Sequence, residues 1–293
     1  MNRNTVDVVI VGNIAHDVNT FPNRDNGKDL VVCNNGGAGY YSLIPASIYS
    51  KTGIVARVGN DFDLSKIVEQ NIDLKGLKIV KDKPTTKFHH TYLSDDGQTR
   101  TFRPEIYENC MISEEDFPEE YFKAKYIHIA TNFPKIQNSF IDLIRKKSNA
   151  IISIDTHEAY METDSEYIKK VFDKVDIAFI DKEFTNLLDC NAPIKIIKMG
   201  KSGCKYIGIN EEFIVNANET NVVDKTGAGD VVTGVFLAMM SKTNDKKKSL
   251  EEAVKMATES IKKYGVDELC NLKNNKKNNR GSDENERWRK KFF

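Results

Sequence analysis

The sequence predicts an α/β fold, with a mostly parallel central sheet covered by helices and a second, small β-sheet beside it. Three observations predict this. Short apolar runs of strand length alternate with longer runs of helical spacing, the order from which parallel sheets are built. The strand-like runs are apolar at nearly every position, as strands buried on both faces must be. Two segments break the alternation, at 14–33 and 85–103, and one of them is rich in β-forming residues around an Asp-Gly turn.

Taken in order, residues 6–11 form the first strand, and Gly12-Asn13 ends it. The interrupting segment follows, then a helix over 39–50 and a strand over 54–58. The second interruption contains Lys87 to Leu93, the turn Ser94-Asp95-Asp96-Gly97-Gln98, and Thr99 to Phe102, which reads as a hairpin. Strands are expected at 126–130, 150–154, 176–180 and 194–199, with helices at 135–147, 164–172 and 182–188 between them. The run 221–223 is strand-like, and 231–240 is helix-like. On such a sheet, ligands sit at the carboxyl ends of the strands. Gly12-Asn13, Gly59-Asn60-Asp61, Asp155-Thr156-His157 and the turn at Gly227 all follow strand-like runs, so they are expected to converge there.

The 293 residues suffice for a large core. We expect one domain over 1–272 and a polar tail over 273–293, where Lys, Asn and Asp replace the apolar residues that order a chain. Trp288, Phe292 and Phe293 lie in that tail. With 43 basic and 43 acidic residues there is no basic field for nucleic acid or an anionic membrane. No apolar run is long enough to span a bilayer. The opening residues lead directly into a strand, and Cys33, Cys110, Cys190, Cys204 and Cys270 show no paired spacing. A reduced, cytoplasmic protein is expected.

The richest local pattern is Asp224-Lys225-Thr226-Gly227-Ala228-Gly229-Asp230, placed where a helix begins. Unpaired amides and the helix dipole make such a start an anion site. Asp230 at its end is placed to take a proton from an attacking hydroxyl, and a cradle beside a base suits phosphoryl transfer. The same residues also fit an ordinary turn with Asp230 as a helix cap. The Gly-Lys-Ser/Thr ending of a P-loop is missing.

This order of acid, Thr, Gly-Ala-Gly, Asp, then Gly234 one turn into the helix closely resembles the signature of the ribokinase-like (PfkB) carbohydrate kinases. Asn34-Asn35-Gly36-Gly37-Ala38-Gly39-Tyr40-Tyr41-Ser42 resembles that family's first signature. Val58-Gly59-Asn60-Asp61-Phe62 and Gly200 to Gly203 resemble further steps. His16-Asp17-Val18 with Gly36-Gly37-Ala38 resembles the inositol kinases. The resemblance runs from about Val6 to Gly265.

It implies a three-layer sandwich whose small sheet, with strands from about 14–33 and 85–103, is a lid over the acceptor, ATP with Mg²⁺ as cofactors, and a hydroxyl acceptor that is a sugar, a polyol or a nucleoside. It implies Asp230 as base, with Gly227, Ala228 and Gly229 stabilising the transferring group. Asp17, Gly36, Gly37, Tyr40 and Asn13 are expected to bind the acceptor. Lys198, Gly200, Gly203 and Thr226 are expected at the nucleotide. A homodimer through the lid is expected too.

Two places depart from the family. Tyr40 stands where an Asn is usual, as a platform for a nucleoside base or a packing residue. The Asn-x-x-Glu step that orders metal-bound water is replaced by Asp181-Lys182-Glu183-Phe184, leaving Asp181 and Glu183 as the candidate metal carboxylates or an acidic helix start. These departures also admit a catalytically silent binding protein. His89-His90 face opposite sides of one strand and read as surface and packing.

Overall fold

The computed structural model describes residues 5–93 and 100–271. The strands, in chain order, are β1 (Val8–Val11), β2 (Ala15–Asp25), β3 (Lys28–Gly36), β4 (Thr52–Gly59), β5 (Ile72–Val80), β6 (Lys87–Tyr92), β7 (Arg100–Glu105), β8 (Tyr126–Ile129), β9 (Ile151–Ile154), β10 (Ile177–Asp181), β11 (Ile194–Lys198), β12 (Cys204–Ile207) and β13 (Glu212–Val215). The helices are α1 (Ala38–Ser47), α2 (Ser65–Val68), α3 (Pro134–Lys147), α4 (Glu158–Phe172), α5 (Ala228–Thr243) and α6 (Lys246–Ser260).

Nine strands form one sheet in the order β13-β12-β11-β10-β9-β8-β1-β4-β5. From β11 to β5 every neighbour is parallel; β12 and β13 add antiparallel pairs at one edge. The reason lies in strands such as β1, where Val8, Val9, Ile10 and Val11 are all buried. Val8 and Ile10 pack on one side with residues of α1, α5 and α6, such as Leu43, Val235 and Ala253. Val9 and Val11 pack on the other with Phe140 and Ile144 of α3 and Ile168 of α4. Apolar burial on both faces is the main stabilising term for such a sheet. The result is three layers. At the α1–α5 crossing a Cβ on Gly234 would come within 2.0 Å of the Ser42 carbonyl oxygen, so that helix pair needs a glycine.

The second sheet has the order β3-β2-β6-β7. Its hairpins β2–β3 and β6–β7 are antiparallel, and β2 and β6 are parallel. Asn26 and Gly27 turn the first hairpin with φ of 49° and 81°, the left-handed pair of a type I′ turn. The expected Ser94–Gln98 turn and the tail over 273–293 lie outside the described residues.

Two expected elements are absent. Residues 182–188 form a single 3-10 turn, Thr185–Leu187, because seven residues gain too few hydrogen bonds to offset helix nucleation. Residues 221–223 are not a strand; Val223 instead donates its N–H to Ile261 O at 2.7 Å and accepts from Arg24 Nη1 at 2.7 Å. The helix expected at 164 begins at Glu158, but Asp164 is non-helical and its carboxylate caps Tyr167 N–H at 3.1 Å. The expected start is therefore the restart of a broken helix.

Candidate active site

The carboxyl ends of β9, β10 and β11 bring three charged side chains together. Asp181 and Lys198 are register partners across β10 and β11, and Asp155 follows the last residue of β9. Lys198 Nζ donates to both oxygens of Asp155, at 2.7 and 2.9 Å, and lies 3.5 Å from Asp181 Oδ1. Both members of the first pair are buried. Burial pulls the Asp155 pKa up, Lys198 pulls it back, and it rests at about 6. Burial opposes the charge on Lys198, but the two carboxylates outweigh it and hold the ammonium protonated.

The α5 N-terminus faces this cluster. Gly227, at φ 74°, is its N-cap. A Cβ there would also stand 2.2 Å from the Tyr41 ring, so only glycine fits the turn. Gly227, Ala228, Gly229 and Asp230 all keep partial solvent access. A Cβ on Gly229 would stand 3.2 Å from Lys198 Nζ, which places that ammonium against the loop. The Asp230 pKa is pushed well above the usual carboxylate range, first by burial, then by Asp155, against the pull of Lys198. A carboxyl deep in the protein that still meets solvent is what the floor of a cleft provides.

The lid supplies a second carboxylate. Asp17 on β2 is buried, and Tyr41 of α1 donates to its Oδ2 at 2.8 Å. Burial raises the Asp17 pKa to about 7, with Asp224 adding to the shift and Tyr41 opposing it. Gly36 backs this residue, since a Cβ there would fall 2.2 to 2.5 Å from the Asp17 carboxylate atoms. Gly37, at φ 84°, caps α1 beside the Asn13 carbonyl, and Asn13 Oδ1 accepts from Asn132 Nδ2 at 3.3 Å.

The lid is seated on the 224–230 loop. Asn19 Nδ2 donates to Asp224 Oδ2 at 3.1 Å and to Thr226 Oγ1 at 3.3 Å. Tyr92 of β6 bonds the same hydroxyl, and Thr226 closes on Asp224 through its N–H and Oγ1 at 2.9 and 2.6 Å. Arg100 Nη2 reaches His157 Nε2 at 3.3 Å, and Phe102 lies 5.1 Å from the same ring.

Of the expected residues, Asp230, Gly227, Ala228, Gly229, Lys198, Asp181, Asp17, Gly36, Gly37 and Asn13 fall at this junction of lid, loop and strand ends. Gly200 and Gly203 turn the chain from β11 into β12 beside Lys198, with φ of 58° and 88°. Tyr40 does not join them. Its ring packs edge-on to Phe62 in the core and its hydroxyl donates to Asp267 at 2.6 Å, because α1 turns the neighbouring Tyr41 toward Asp17. Thr226 is committed to Asp224 on the lid side. Glu183 stays exposed, with Lys182 at 3.7 Å, since the helix meant to present it is absent. Among the described residues no three His, Cys, Asp or Glu side chains form a metal cage. Asp181, half-exposed at the strand end, still fits the one or two carboxylates that magnesium takes beside phosphates.

Asn19, Tyr41 and Tyr92 also line this junction though no role was expected of them from the sequence, and Asp224, the acid that opens the 224–230 pattern, was given no role of its own. Asn19 had a signal, because it lies two places from Asp17 on one strand and therefore on the same face.

The chain matches the pfkB family carbohydrate kinase over residues 6–274. It is 25% identical over 284 residues to the cytidine kinase of Thermococcus kodakarensis, covering 89% of this chain and 98% of that one. The nucleoside kinase of Burkholderia thailandensis in complex with inosine superposes with a TM-score of 0.73 at 14% identity, over 90% and 94% of the two chains. An uncharacterized sugar kinase of Pyrococcus horikoshii in complex with ATP gives 0.70 at 19% identity, over 88% and 93%. Among the described residues no helix is long and apolar enough to cross a membrane.

Proposed function

The chain belongs to the pfkB carbohydrate kinase family, and we propose that it transfers the γ-phosphoryl group of ATP to a hydroxyl of a sugar or sugar-like molecule, with Asp230 as base. One observation carries the reading most. The partly solvent-accessible carboxylate of Asp230 in the first turn of α5 and the buried lid carboxylate of Asp17 meet at one loop, since the lid strand that carries Asp17 is bonded through Asn19 to Asp224 and Thr226 of the loop that Asp230 closes. A base and an acceptor-binding group thus share one space.

In this reading the acceptor's hydroxyls donate to Asp17, and Asp230 takes the proton from the attacking oxygen as the bond to phosphorus forms and the bond to ADP breaks. Ala228 N–H already donates to the Lys225 carbonyl at 3.2 Å, which leaves the Gly227 and Gly229 amides for the phosphoryl oxygens. Lys198 adds positive charge beside them, and the turn holding Gly200 and Gly203 borders the nucleotide. Asp181 would hold Mg²⁺, which neutralises phosphate charge when bound. The lid keeps water from the phosphoryl group. Homodimerisation through the lid edges β3 and β7 belongs to the same reading.

A nucleoside acceptor is the second reading, favoured by the cytidine kinase relative. Measuring ADP release with ATP against ribose, fructose, inositol and nucleosides tests both. Bound ATP with no transfer to any acceptor would leave a silent binding protein.

Two results are expected along the way. In Gly36→Ala the new methyl displaces the Asp17 carboxylate, and the acceptor KM rises by about tenfold or more while the ATP KM holds. An unchanged acceptor KM would contradict the placement of Asp17. Because the raised Asp17 pKa is about 7, the carboxylate is lost as pH falls through that value, so the acceptor KM should climb below it and level off above. A flat profile across neutral pH would remove Asp17 from the site.

A further inference from the structure

The inner face of the lid holds an unmet demand for hydrogen bonds. Register sets Asn19 beside His90 and His90 beside Phe102, with Asp17 beside Phe88 in the next row. Asp17 Oδ1, Asn19 Oδ1 and His90 Nδ1 are all buried without a partner. Their residues are 1%, 0% and 6% exposed. Orphaned polar atoms destabilise a fold and are rare, so three on adjacent rows of one face point to a ligand that completes them.

The same patch has an apolar wall. The Phe102 ring lies 5.1 Å from His90 and 5.5 Å from Phe88. A free sugar or polyol would satisfy Asp17 and Asn19 but offers no flat face to the aromatic rings. A planar heterocycle with a polar edge does both.

Resting on the kinase reading above, we propose that His90 is a specificity-determining residue: its Nδ1 bonds the polar edge of a ring packed against Phe102, and the acceptor is a nucleoside. Asp17 and Asn19 then hold the ribose hydroxyls. Burial, followed by the Arg100 charge, pushes the His90 pKa down to about 3. The imidazole therefore stays neutral and serves as donor or acceptor according to tautomer. A site built this way rejects an acceptor that leaves the nitrogen unpaired.

The test compares the wild type with His90→Phe, which keeps an aromatic ring but loses the nitrogen, and His90→Gln, which keeps a polar group. kcat and KM are measured separately for purine and pyrimidine nucleosides, ribose and inositol, with ATP affinity as a control for folding. The wild type should prefer nucleosides. His90→Phe should raise the nucleoside KM about tenfold or more with a much smaller change in kcat, and His90→Gln should recover part of that loss. Ribose or inositol used as well as any nucleoside would overturn the proposal while leaving the kinase intact, as would a wild-type nucleoside KM in His90→Phe. If His90→Phe fails to fold, the wild-type preference still decides. Transfer to no acceptor at all would refute the kinase reading, and this inference with it.

Discussion

Asp230→Asn should lower turnover by about 10²- to 10⁴-fold, the contribution of a positioned general base, while ATP still binds. The substitution keeps the shape of the side chain and removes only its ability to take a proton. It should not weaken the fold. Asp230 shares its surroundings with Asp155, Asp181 and Asp17, all of which raise its pKa by repelling its charge. A neutral amide relieves that repulsion, so the thermal midpoint should hold or rise. Wild-type kcat in this variant would remove Asp230 from the chemistry. The direction of its pKa also sets the pH dependence of the wild type: kcat should fall as pH drops through the raised value, because the base is then already protonated.

Lys198→Met should produce the largest loss of stability. It leaves Asp155 buried with no cation, after both carboxylate oxygens have been desolvated for that contact. Breaking one side of a buried pair costs about 3–5 kcal/mol, which for a chain of this size lowers the melting midpoint on the order of 10 °C. Adding Asp155→Asn should restore much of it, since an amide tolerates the apolar neighbour better than a stranded charge. If the single variant melts with the wild type, the pair is not the buried ion pair described. Activity should fall in both variants, because the same ammonium lies against Gly229. Stability restored without activity in the double variant would separate the two roles of Lys198.

The central sheet was legible because its strands carry their burial in composition. β1 is apolar at every position and is buried at every position. Elements whose formation depends on partners were not. β5 alternates only loosely, with Gly76 at a break in register against β4, and β12 and β13 are short strands at one end of the sheet, held by pairing rather than by an apolar run. Lid strands were expected within 14–33, but the polar residues there hid the bounds of the hairpin and its Asn26-Gly27 turn.

The candidate site was legible where it is local. The 224–230 loop lies at a helix start, open to solvent, with its acid inside the cleft. Its other half is assembled from distant positions. Nothing in the spacing of Asp155, Asp181 and Lys198 marks them as neighbours; adjacent parallel strands do that. Tyr40 was expected at the acceptor, but helix phase sets which tyrosine faces Asp17, and one residue of rotation separates the core Tyr40 from the Tyr41 that bonds Asp17. Glu183 was misplaced with the helix that was to carry it.

The most direct test follows the phosphoryl group itself. ATP labelled at the γ-position is given to the wild-type protein with a nucleoside or sugar acceptor, and the labelled products are separated. We predict a phosphorylated acceptor formed one for one with ADP, and only when acceptor is present. Label released as inorganic phosphate alone, or retained in bound ATP whatever acceptor is supplied, would contradict the account.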